Sequence, residues 1–409
     1  MALQPHICAI VSEYNPFHRG HAYHMEQTRA QGATHIVAIL SGNFVQRGEA
    51  ALLHKWARAE AALLGGADLV LELPLPWAMA GAEIFARGAV QTADALGCVS
   101  SLSFGSESGD LASLKQAAAL LRSQSFSAQV KRELQTGQTF AAARERAVAR
   151  LAGEKISSLL QNANDILAVE YLKAIAAEKS PLSPLAVRRI GAGHDGTSPA
   201  DGFASASRLR ALILAGRQAE AEPYLTADSY RILLRELSQG AAPAAMERLE
   251  RPILARLRTM RREDFACLPD VSEGLEGRID RAVRTETDLF RLYDKIKTKR
   301  YTHARIRRII VGAFLGLSSS AVPPSVPYLR VLGMNVRGRD ILRLARSSAR
   351  VPILLRAADR ASLSPEAESV YRLECRATDL YMLALPKAGP CGLDLTRGPV
   401  IPTKLKGSV

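Results

Sequence analysis

The chain has 409 residues, 47% hydrophobic and 23% charged, which is the composition of a soluble globular protein with two domains, or three. No apolar run approaches the roughly 18 residues of a membrane-spanning helix, and no signal-peptide pattern opens the chain, so we expect a cytoplasmic protein with no membrane contact. The five cysteines are scattered without a CxxC pair, which argues against a zinc ribbon or a disulfide framework.

The charge balance is basic. Lys and Arg number 54 against 40 Asp and Glu, for a net charge of +14. Such an excess attracts polyanions through the long-range field and counterion release. Charge alone fits either a nucleic-acid partner or a solvated basic surface.

Short apolar runs alternate with helical patterns through the first hundred residues. The runs "HICAIV", "HIVAIL", "ADLVLELP" and "VSSLSFGS" predict strands. Helices are predicted between them at 20–31, in "GEAALLHKWARAEAALLGG" and in "AEIFARGAVQTADALG". Near-continuous apolar strands that alternate with helices indicate a parallel sheet covered on both faces. We therefore expect an α/β, doubly wound, Rossmann-like N-terminal domain.

The remainder of the chain is predominantly helical by pattern. Residues 109–179 are rich in Ala, Leu and Gln, and a last strand is predicted in "PLAVRRIGA", before the loop "GHDGTSPADGFAS". Beyond Ser205 the pattern is almost wholly helical, apart from the loop "SSSAVPPSVPY" and the Pro/Gly-rich end. We predict a catalytic domain at residues 1–215 and a mainly α-helical, basic domain at residues 216–409.

A histidine pair follows the first predicted strand, in "SEYNPFHRGH". His18 and His21 are three residues apart and face the same way at a helix N-terminus, which offers unpaired N–H groups and positive dipole density to a phosphate. Imidazoles there can donate hydrogen bonds to phosphate oxygens as charge builds at the α-phosphorus. Gly20 permits close approach, and Asn15-Pro16 sets the turn.

Two other interpretations of the pair exist. The histidines could be incidental surface residues, since HxGH alone is a weak pattern. They could also ligate zinc, but no third Cys, His or carboxylate lies at local ligand spacing. Their position after the first strand favours the phosphate interpretation.

Strand, turn and HxGH helix together resemble the nucleotidylyltransferase superfamily, which also contains the class I aminoacyl-tRNA synthetases. In that superfamily, small hydroxyl residues followed by Arg often form a second phosphate element. Here "SASRLR" supplies Ser205, Ser207 and Arg210. The hydroxyls can cap a helix and contact phosphate, and Arg210 can reach the leaving phosphates.

The resemblance extends to one family. The segments "EYNPFHRGHAYH", "SGNFVQRGEAA", "GGADLVLELPLPWA", "SFGSE", "ANDILAVEYLKA", "RRIGAG", "SASRLR" and "KTKRYTHARIRR" occur in the order seen in the bacterial tRNA(Met) cytidine acetate ligase family. This resemblance implies that ATP activates acetate as acetyl-adenylate. The acetyl group then passes to N4 of the wobble cytidine of elongator tRNA(Met), giving N4-acetylcytidine.

The resemblance also implies a set of site residues. His18 and His21 would be catalytic, Mg²⁺ would accompany ATP, and no protein metal site or obligate protein partner is inferred. The ATP site would comprise Val11, Ser12, Glu13, Tyr14, Asn15, Pro16, Phe17, His18, Arg19, Gly20, His21, Ala22, Tyr23, His24, Gly105, Asn164 and Arg189. The family's "PNNILG" stands here as "ANDILA", Arg188 is an alternative to Arg189, and His54 replaces an expected acidic residue.

Two further segments are candidates for substrate contacts. "GNFVQRGE" follows the second strand, so Asn43, Gln46 and Arg47 are candidates to line a pocket for acetate or cytosine; alternatively it is only a polar turn. The basic segment "KIKTKRYTHARIRR" (Lys295 to Arg308) holds seven Lys/Arg and no carboxylate. It predicts a tRNA-binding face, or else a solvated basic one. Its candidate residues are Lys297, Lys299, Arg300, Arg305 and Arg308, extended by Arg330, Arg337, Arg339 and Arg343.

Other functional classes remain open from the residues alone. A small-molecule nucleotidylyltransferase would share both phosphate elements but has no need for a large basic helical domain. An RNA-binding protein with a vestigial nucleotide site is a third hypothesis. An aminoacyl-tRNA synthetase is disfavoured because no KMSKS-like loop is present.

Overall fold

A computed structural model describes residues 5–190 and 202–402 of the chain. Its strands are β1 Ile7–Ser12, β2 His35–Ser41, β3 Phe44–Val45, β4 Glu49–Ala50, β5 Leu69–Leu73, β6 Ser101–Ser106, β7 Ser183–Arg188, β8 Leu329–Met334 and β9 Ile353–Leu354. The helices of the first half are α1 Arg19–Ala30, α2 Lys55–Leu64, α3 Leu75–Ala78, α4 Ala82–Ala95, α5 Leu111–Leu121, α6 Gln124–Gln135, α7 Phe140–Ala152, α8 Glu154–Ser158 and α9 Ala163–Ala177. Those of the second half are α10 Ala206–Leu214, α11 Gln218–Ala221, α12 Ala227–Ser238, α13 Met246–Arg258, α14 Arg262–Ala266, α15 Leu275–Thr285, α16 Leu289–Ile296, α17 His303–Leu315, α18 Val336–Ser348, α19 Pro365–Tyr381 and α20 Leu393–Thr396.

Seven strands form one mostly parallel sheet in the order β7-β6-β1-β2-β5-β8-β9. The first five are mutually parallel, with Ile7 opposite His35 and Cys8 opposite Ser101. β3 and β4 form a separate antiparallel hairpin, called here the hairpin. The predicted doubly wound fold with an HxGH helix after the first strand is confirmed. Residues 191 and 192 of the last predicted strand, and the loop up to residue 201, lie outside the described residues.

Alternating side chains of the central strands enter two different cores. Ala9 and Val37 pack with α4 and α9 on one face, whereas Ile10 and Ala38 pack with α1, α2 and α10 on the other. Because both faces are buried, each strand reads as a continuous apolar run in the sequence. A third core lies among α13, α15, α17 and α19 and takes Phe44 from the hairpin.

The expectation of an almost wholly helical second half is wrong at one place. β8 runs antiparallel to β5, and β9 runs parallel to β8, so residues 329–354 complete the sheet. The sheet and its core therefore draw residues from both sides of residue 215. The division of the chain there stays a prediction.

Candidate active site

A cleft of about 290 Å³ opens where β1 and β6 end, the edge at which parallel sheets of this kind bind ligands. The loop after β1, helix α1, the end of β6, the start of α9, the residue after β7 and the start of α10 all contribute to its walls. The predicted residues that line it are Val11, Ser12, Glu13, Tyr14, Asn15, His18, His21, His24, Gly105, Asn164, Arg189, Ser205, Ser207 and Arg210. Both predicted phosphate elements thus meet in one cavity.

Six residues of the predicted ATP run support the cleft from outside its walls: Pro16, Phe17, Arg19, Gly20, Ala22 and Tyr23. Phe17 is buried, and Nε of Arg19 donates to the carbonyl of Leu225 at 3.3 Å. A Cβ on Gly20 would lie 2.9 Å from Cε1 of His18. The glycine is therefore required by the close approach of that ring.

The two histidines are held through their Nδ1 atoms. His18 is the N-cap of α1, and its Nδ1 accepts from the N–H of Gly20 at 3.1 Å. Nδ1 of His21 accepts from the N–H of His18 at 3.2 Å. A neutral imidazole whose Nδ1 accepts carries its proton on Nε2. The rings stack with centroids 3.7 Å apart, so the cleft holds two adjacent Nε2–H donors.

Burial keeps these imidazoles neutral. It lowers the pKa of His18 to about 3, with the positive charges of Arg189 and Arg210 as further causes. The pKa of His21 is also lowered, first by burial and then by the neighbouring His18, Arg189 and His24. Burial and Arg189 lower the pKa of His24, which bonds Ser103 through Nε2 at 2.9 Å, to about 4. The pair therefore donates hydrogen bonds as neutral imidazole at physiological pH.

The second phosphate element is pinned to the first. Ser205 is the N-cap of α10, and its side chain accepts from the N–H of Arg208 at 3.3 Å. Arg210 donates to the carbonyl of Asn15 at 3.1 Å and to Oγ of Ser207 at 3.1 Å. A guanidinium fixed in this way can meet an anion with little further ordering.

Glu13 is the carboxylate among the described lining residues. Its Oε1 accepts from the N–H of Gln46 at 2.9 Å. Burial raises its pKa, while that hydrogen bond and the charges of Arg210 and Arg47 act in the opposite direction. A single carboxylate suits a Mg²⁺ ion that is carried in mainly on nucleotide phosphates.

Gly105, Asn164 and Arg189 also line the cleft. Nη1 of Arg189 donates to Oδ1 of Asn164 at 3.4 Å, and Nδ2 of Asn164 donates to Glu107 at 2.5 Å. A Cβ on Gly105 would lie 3.4 Å from Cγ of Arg189. Arg189 therefore lines the cleft, whereas its alternative Arg188 packs by Gly109 instead.

Two of the three substrate-pocket candidates in and beside the hairpin line the cleft. Gln46 and Arg47, at its turn, line the cleft. Asn43 does not: it is 4% exposed, donates to Thr378 at 3.1 Å and accepts from the N–H of Lys55 at 2.8 Å. Its assignment to a substrate pocket is wrong because both ends of the amide are used to hold the hairpin against α2 and α19.

Apolar side chains that the sequence reasoning missed form one wall. They are Ala82, Phe85, Phe104, Ala163, Ile166, Leu167 and Tyr171. Phe104 and Tyr171 stack with centroids 5.8 Å apart. Phe104 directly precedes Gly105 on β6. Its position next to a predicted ATP-site residue was the sequence signal that could have identified it. The wall offers a surface for a planar base or a methyl group.

Only some of the basic side chains in the segment Lys295 to Arg308 are exposed to solvent. Lys297, Lys299 and Arg300 are exposed between α16 and α17. Arg305 instead donates to the carbonyl of Asp270 at 2.7 Å, and the side chain of Arg308 is 16% exposed beside Asp270. The loop that carries Asp270 therefore contacts both side chains, and tRNA binding by these two residues stays a prediction.

Arg330 is also misplaced in the predicted basic surface. It is 6% exposed and lies in a buried ion cluster, 2.6 Å from Oδ1 of Asp394. In the same cluster Lys55 lies 2.7 Å from Asp394 and 2.8 Å from Glu72. Arg337, Arg339 and Arg343 on α18 are exposed as expected.

The replacement of an acidic residue by His54 has a structural explanation. Nδ1 of His54 accepts from the N–H of Ala57 at 3.1 Å and so caps α2. Its Nε2 lies 3.0 Å from Oε2 of Glu236. His54 is outside the cleft lining.

Within residues 5–190 and 202–402, no cluster of three or more His, Cys, Asp and Glu side chains could hold a metal ion. None of the helices described is both long and apolar enough to cross a membrane.

Known proteins resemble this chain over almost its whole length. The sequence model of the family described as HIGH Nucleotidyl Transferase matches residues 5–391. The tRNA(Met) cytidine acetate ligase of Acetivibrio thermocellus is 36% identical over 412 residues, covering 97% of this chain and 99% of the relative. That of Syntrophomonas wolfei is 37% identical over 413 residues, covering 96% and 99%. The chain belongs to the tRNA(Met) cytidine acetate ligase family.

Solved structures agree with membership of the tRNA(Met) cytidine acetate ligase family, which the sequence motifs predict. The crystal structure of apo Thermotoga maritima TmcAL matches with a TM-score of 0.92 and 33% identity, covering 97% of this chain and 99% of that one. A second crystal structure of TmcAL, bound with alpha-thio ATP, matches with a TM-score of 0.91 and 32% identity. The fold is therefore shared over almost the full length of both proteins.

Proposed function

We propose that the chain is an ATP-dependent ligase that acetylates N4 of the wobble cytidine of elongator tRNA(Met). Family membership motivates the proposal, and the observation that carries it is the neutral, stacked His18–His21 pair beside Arg210. Two preset N–H donors and a fixed guanidinium suit a reaction at the α-phosphorus of ATP. We expect the protein to be localised in the cytoplasm, where tRNA and ATP are abundant.

The first step would activate acetate. A carboxylate oxygen of acetate attacks the α-phosphorus, the bond to the β-phosphate oxygen breaks, and pyrophosphate leaves with that electron pair. The Nε2–H groups of His18 and His21 stabilise charge that develops on the α-phosphate. Arg210, with Ser205 and Ser207, holds the leaving phosphates, and Mg²⁺ arrives on ATP.

The second step would transfer the acetyl group. The cytosine N4 attacks the carbonyl carbon of acetyl-adenylate, the C–O bond to AMP breaks, and N4 loses one proton. The amine is a poor nucleophile because its lone pair is delocalised into the ring. The rate enhancement of this step must therefore come from close positioning of the base against the anhydride. A wobble base in a loop is single-stranded and can enter a pocket without breaking a duplex.

The remaining residues have roles that follow from their positions. Gly105, Asn164 and Arg189 line the cleft and would contact ATP. Gln46 and Arg47 at the hairpin turn would face acetate or the cytosine. The exposed cations Lys297, Lys299 and Arg300 would hold tRNA phosphates, since polyanion binding is driven by such contacts.

The test combines protein, ATP, labelled acetate and bulk bacterial tRNA, followed by digestion and nucleoside analysis. Label in N4-acetylcytidine, dependent on ATP, is the expected result. A small-molecule nucleotidylyltransferase would instead release a nucleotide-coupled small molecule without tRNA. An RNA-binding protein with a vestigial site would bind tRNA and turn nothing over. Either result would contradict the proposal.

A further inference from the structure

A second cavity lies beside the cleft, on the other side of the start of α4. It has a volume of about 260 Å³ and is enclosed by the turn before α4, by the loop around Asp270 and by one face of α17. Its walls are mainly apolar, with Met79, Ile309 and Leu317 among them. Gly312 contributes no side chain to the α17 face, which leaves room there.

One edge of this cavity is polar. Arg308 and Asp270 lie there, with Nη2 of Arg308 3.5 Å from Oδ2 of Asp270. The side chain of Arg308 is 16% exposed, so part of its guanidinium is accessible beside Asp270. The edge therefore offers donors from Arg308 and an acceptor from Asp270.

The cavity and the cleft are back to back. Ala80 and Ile84 face the cavity, whereas Ala82 and Phe85 face the cleft. A helix with its side chains is about 10 Å across, so the two sites are separated by one helix width. Neighbouring nucleotides of an RNA loop can span such a distance when their bases are splayed apart.

Exposed cations precede the helix that lines the cavity. Lys297, Lys299 and Arg300 are exposed just before α17, the helix that carries Arg308. Apolar walls suit the faces of a base, a mixed donor and acceptor edge suits its rim, and nearby cations suit its phosphate.

We propose that this cavity binds the RNA base that flanks the target cytidine in the tRNA loop. The inference rests on the proposed function and adds a base-specific subsite to it. The occupied cavity would hold the strand on one side of α4 while the target base enters the cleft on the other. Arg308 thereby contacts RNA as part of a recessed site, not as part of an open basic face.

The test uses an RNA stem-loop with the anticodon-loop sequence of elongator tRNA(Met), intact or abasic at either nucleotide flanking the target cytidine. Binding is compared for the wild type, for Ile84→Trp, which fills the cavity from its rim, and for the control Leu395→Trp, which is 45% exposed on α20 in the wild type. We expect one abasic position to weaken wild-type and Leu395→Trp binding about tenfold. Ile84→Trp should bind the intact loop about tenfold more weakly and show no additional weakening with the abasic one.

Two readouts separate the possible failures. Equal abasic penalties in the wild type and Ile84→Trp, or none in either, would overturn the subsite while acetylation of tRNA could still stand. A wild type that neither binds nor acetylates tRNA(Met) would overturn the proposed function as well. Acetate-dependent pyrophosphate release without tRNA is measured in parallel. If Ile84→Trp reduces it as strongly as it reduces RNA binding, the cavity belongs to ATP activation and the subsite is wrong.

Discussion

Arg307 on α17 donates Nη1 to Oε1 of Glu49 on the hairpin, so an ion pair joins the basic segment to the element that carries Gln46 and Arg47 into the cleft. The backbones of the hairpin and α17 also approach each other closely beside this ion pair. Gly48 has a φ of +71°, and a Cβ there would lie 2.5 Å from the backbone nitrogen of Arg308. The hairpin is thus held between the proposed RNA surface and the proposed site of acetate activation.

Arg307→Gln should loosen the hairpin without unfolding the protein. We expect KM for ATP or acetate in acetate-dependent AMP formation to rise severalfold. The free energy of unfolding should change by less than about 1 kcal/mol, because partly exposed ion pairs contribute little. Arg372→Gln, which breaks a pair with Glu368 within α19, is the matched control. Wild-type KM values in Arg307→Gln would show that the pair has no part in the site.

His21→Ala, and to a lesser degree His18→Ala, should abolish acetate-dependent AMP formation while tRNA binding stays nearly intact. Loss of one donor to developing phosphate charge costs about 3 kcal/mol, a hundredfold or more in rate. His18→Asn separates chemistry from folding, since Asn is a good N-cap but lacks the Nε2–H group. We expect it to keep the wild-type unfolding midpoint and lose activity. His35→Ala, at the opposite end of the sheet, is the control. Wild-type turnover in both alanine variants would remove the histidines from the mechanism.

Acid should destabilise the protein through the same histidines. The pKa of His18 is about 3 and that of His24 about 4 in the folded state, against roughly 6.5 for an unperturbed histidine. Between these values the unfolded chain binds protons that the folded one does not, so stability is full above pH 6.5 and falls as the pH drops towards 4. Each histidine contributes up to about 1.4 kcal/mol per pH unit. Urea unfolding at pH 8, 6 and 5 should therefore show a shallower acid decline in His18→Asn than in the wild type. Parallel declines would contradict the neutral, buried state of this ring.

The exposed cations before α17 should carry the salt dependence of tRNA binding. Replacing Lys297, Lys299 and Arg300 together with Gln should lower the log–log salt slope by about 0.7 to 0.9 for each phosphate that is no longer neutralised. ATP binding should be unchanged. The control triple replaces Arg337, Arg339 and Arg343 on α18, a second exposed basic surface. A reduced slope only in that control would move the RNA surface to α18.

Local pattern and motif position predicted the sheet and the cleft well. Continuous apolar strands, glycines after α2 and the polar run after β1 are local signals, and they located the first strands and the end of α2. The helix predicted in "GEAALLHKWARAEAALLGG" is shorter than expected, because Glu49–Ala50 form β4 and α2 begins at Lys55. The histidine tautomers were not predictable, since they depend on the backbone N–H groups of Gly20 and His18 at particular distances.

The errors arose where distant segments meet. β8 resembled part of a basic surface because Arg330 interrupts its apolar run. Its burial depends on Glu72 and Asp394, two acidic partners that are far apart in sequence. Arg308 was predicted on an open basic face, but the loop that carries Asp270 lies against its side chain. Asn43 was predicted to be a site residue because its structural partner could not be recognised from the sequence. That partner, Thr378, lies over three hundred positions away.

Oxygen transfer from acetate tests the central claim most directly. The protein is supplied with [¹⁸O₂]acetate, ATP and elongator tRNA(Met), and AMP, pyrophosphate and nucleosides are analysed by mass spectrometry. If acetate attacks the α-phosphorus and N4 then displaces AMP, each N4-acetylcytidine formed is matched by one AMP that carries one ¹⁸O atom in its phosphate, and pyrophosphate stays unlabelled. Unlabelled AMP, or ¹⁸O in the pyrophosphate or in free phosphate, would contradict activation of acetate as the adenylate in this cleft.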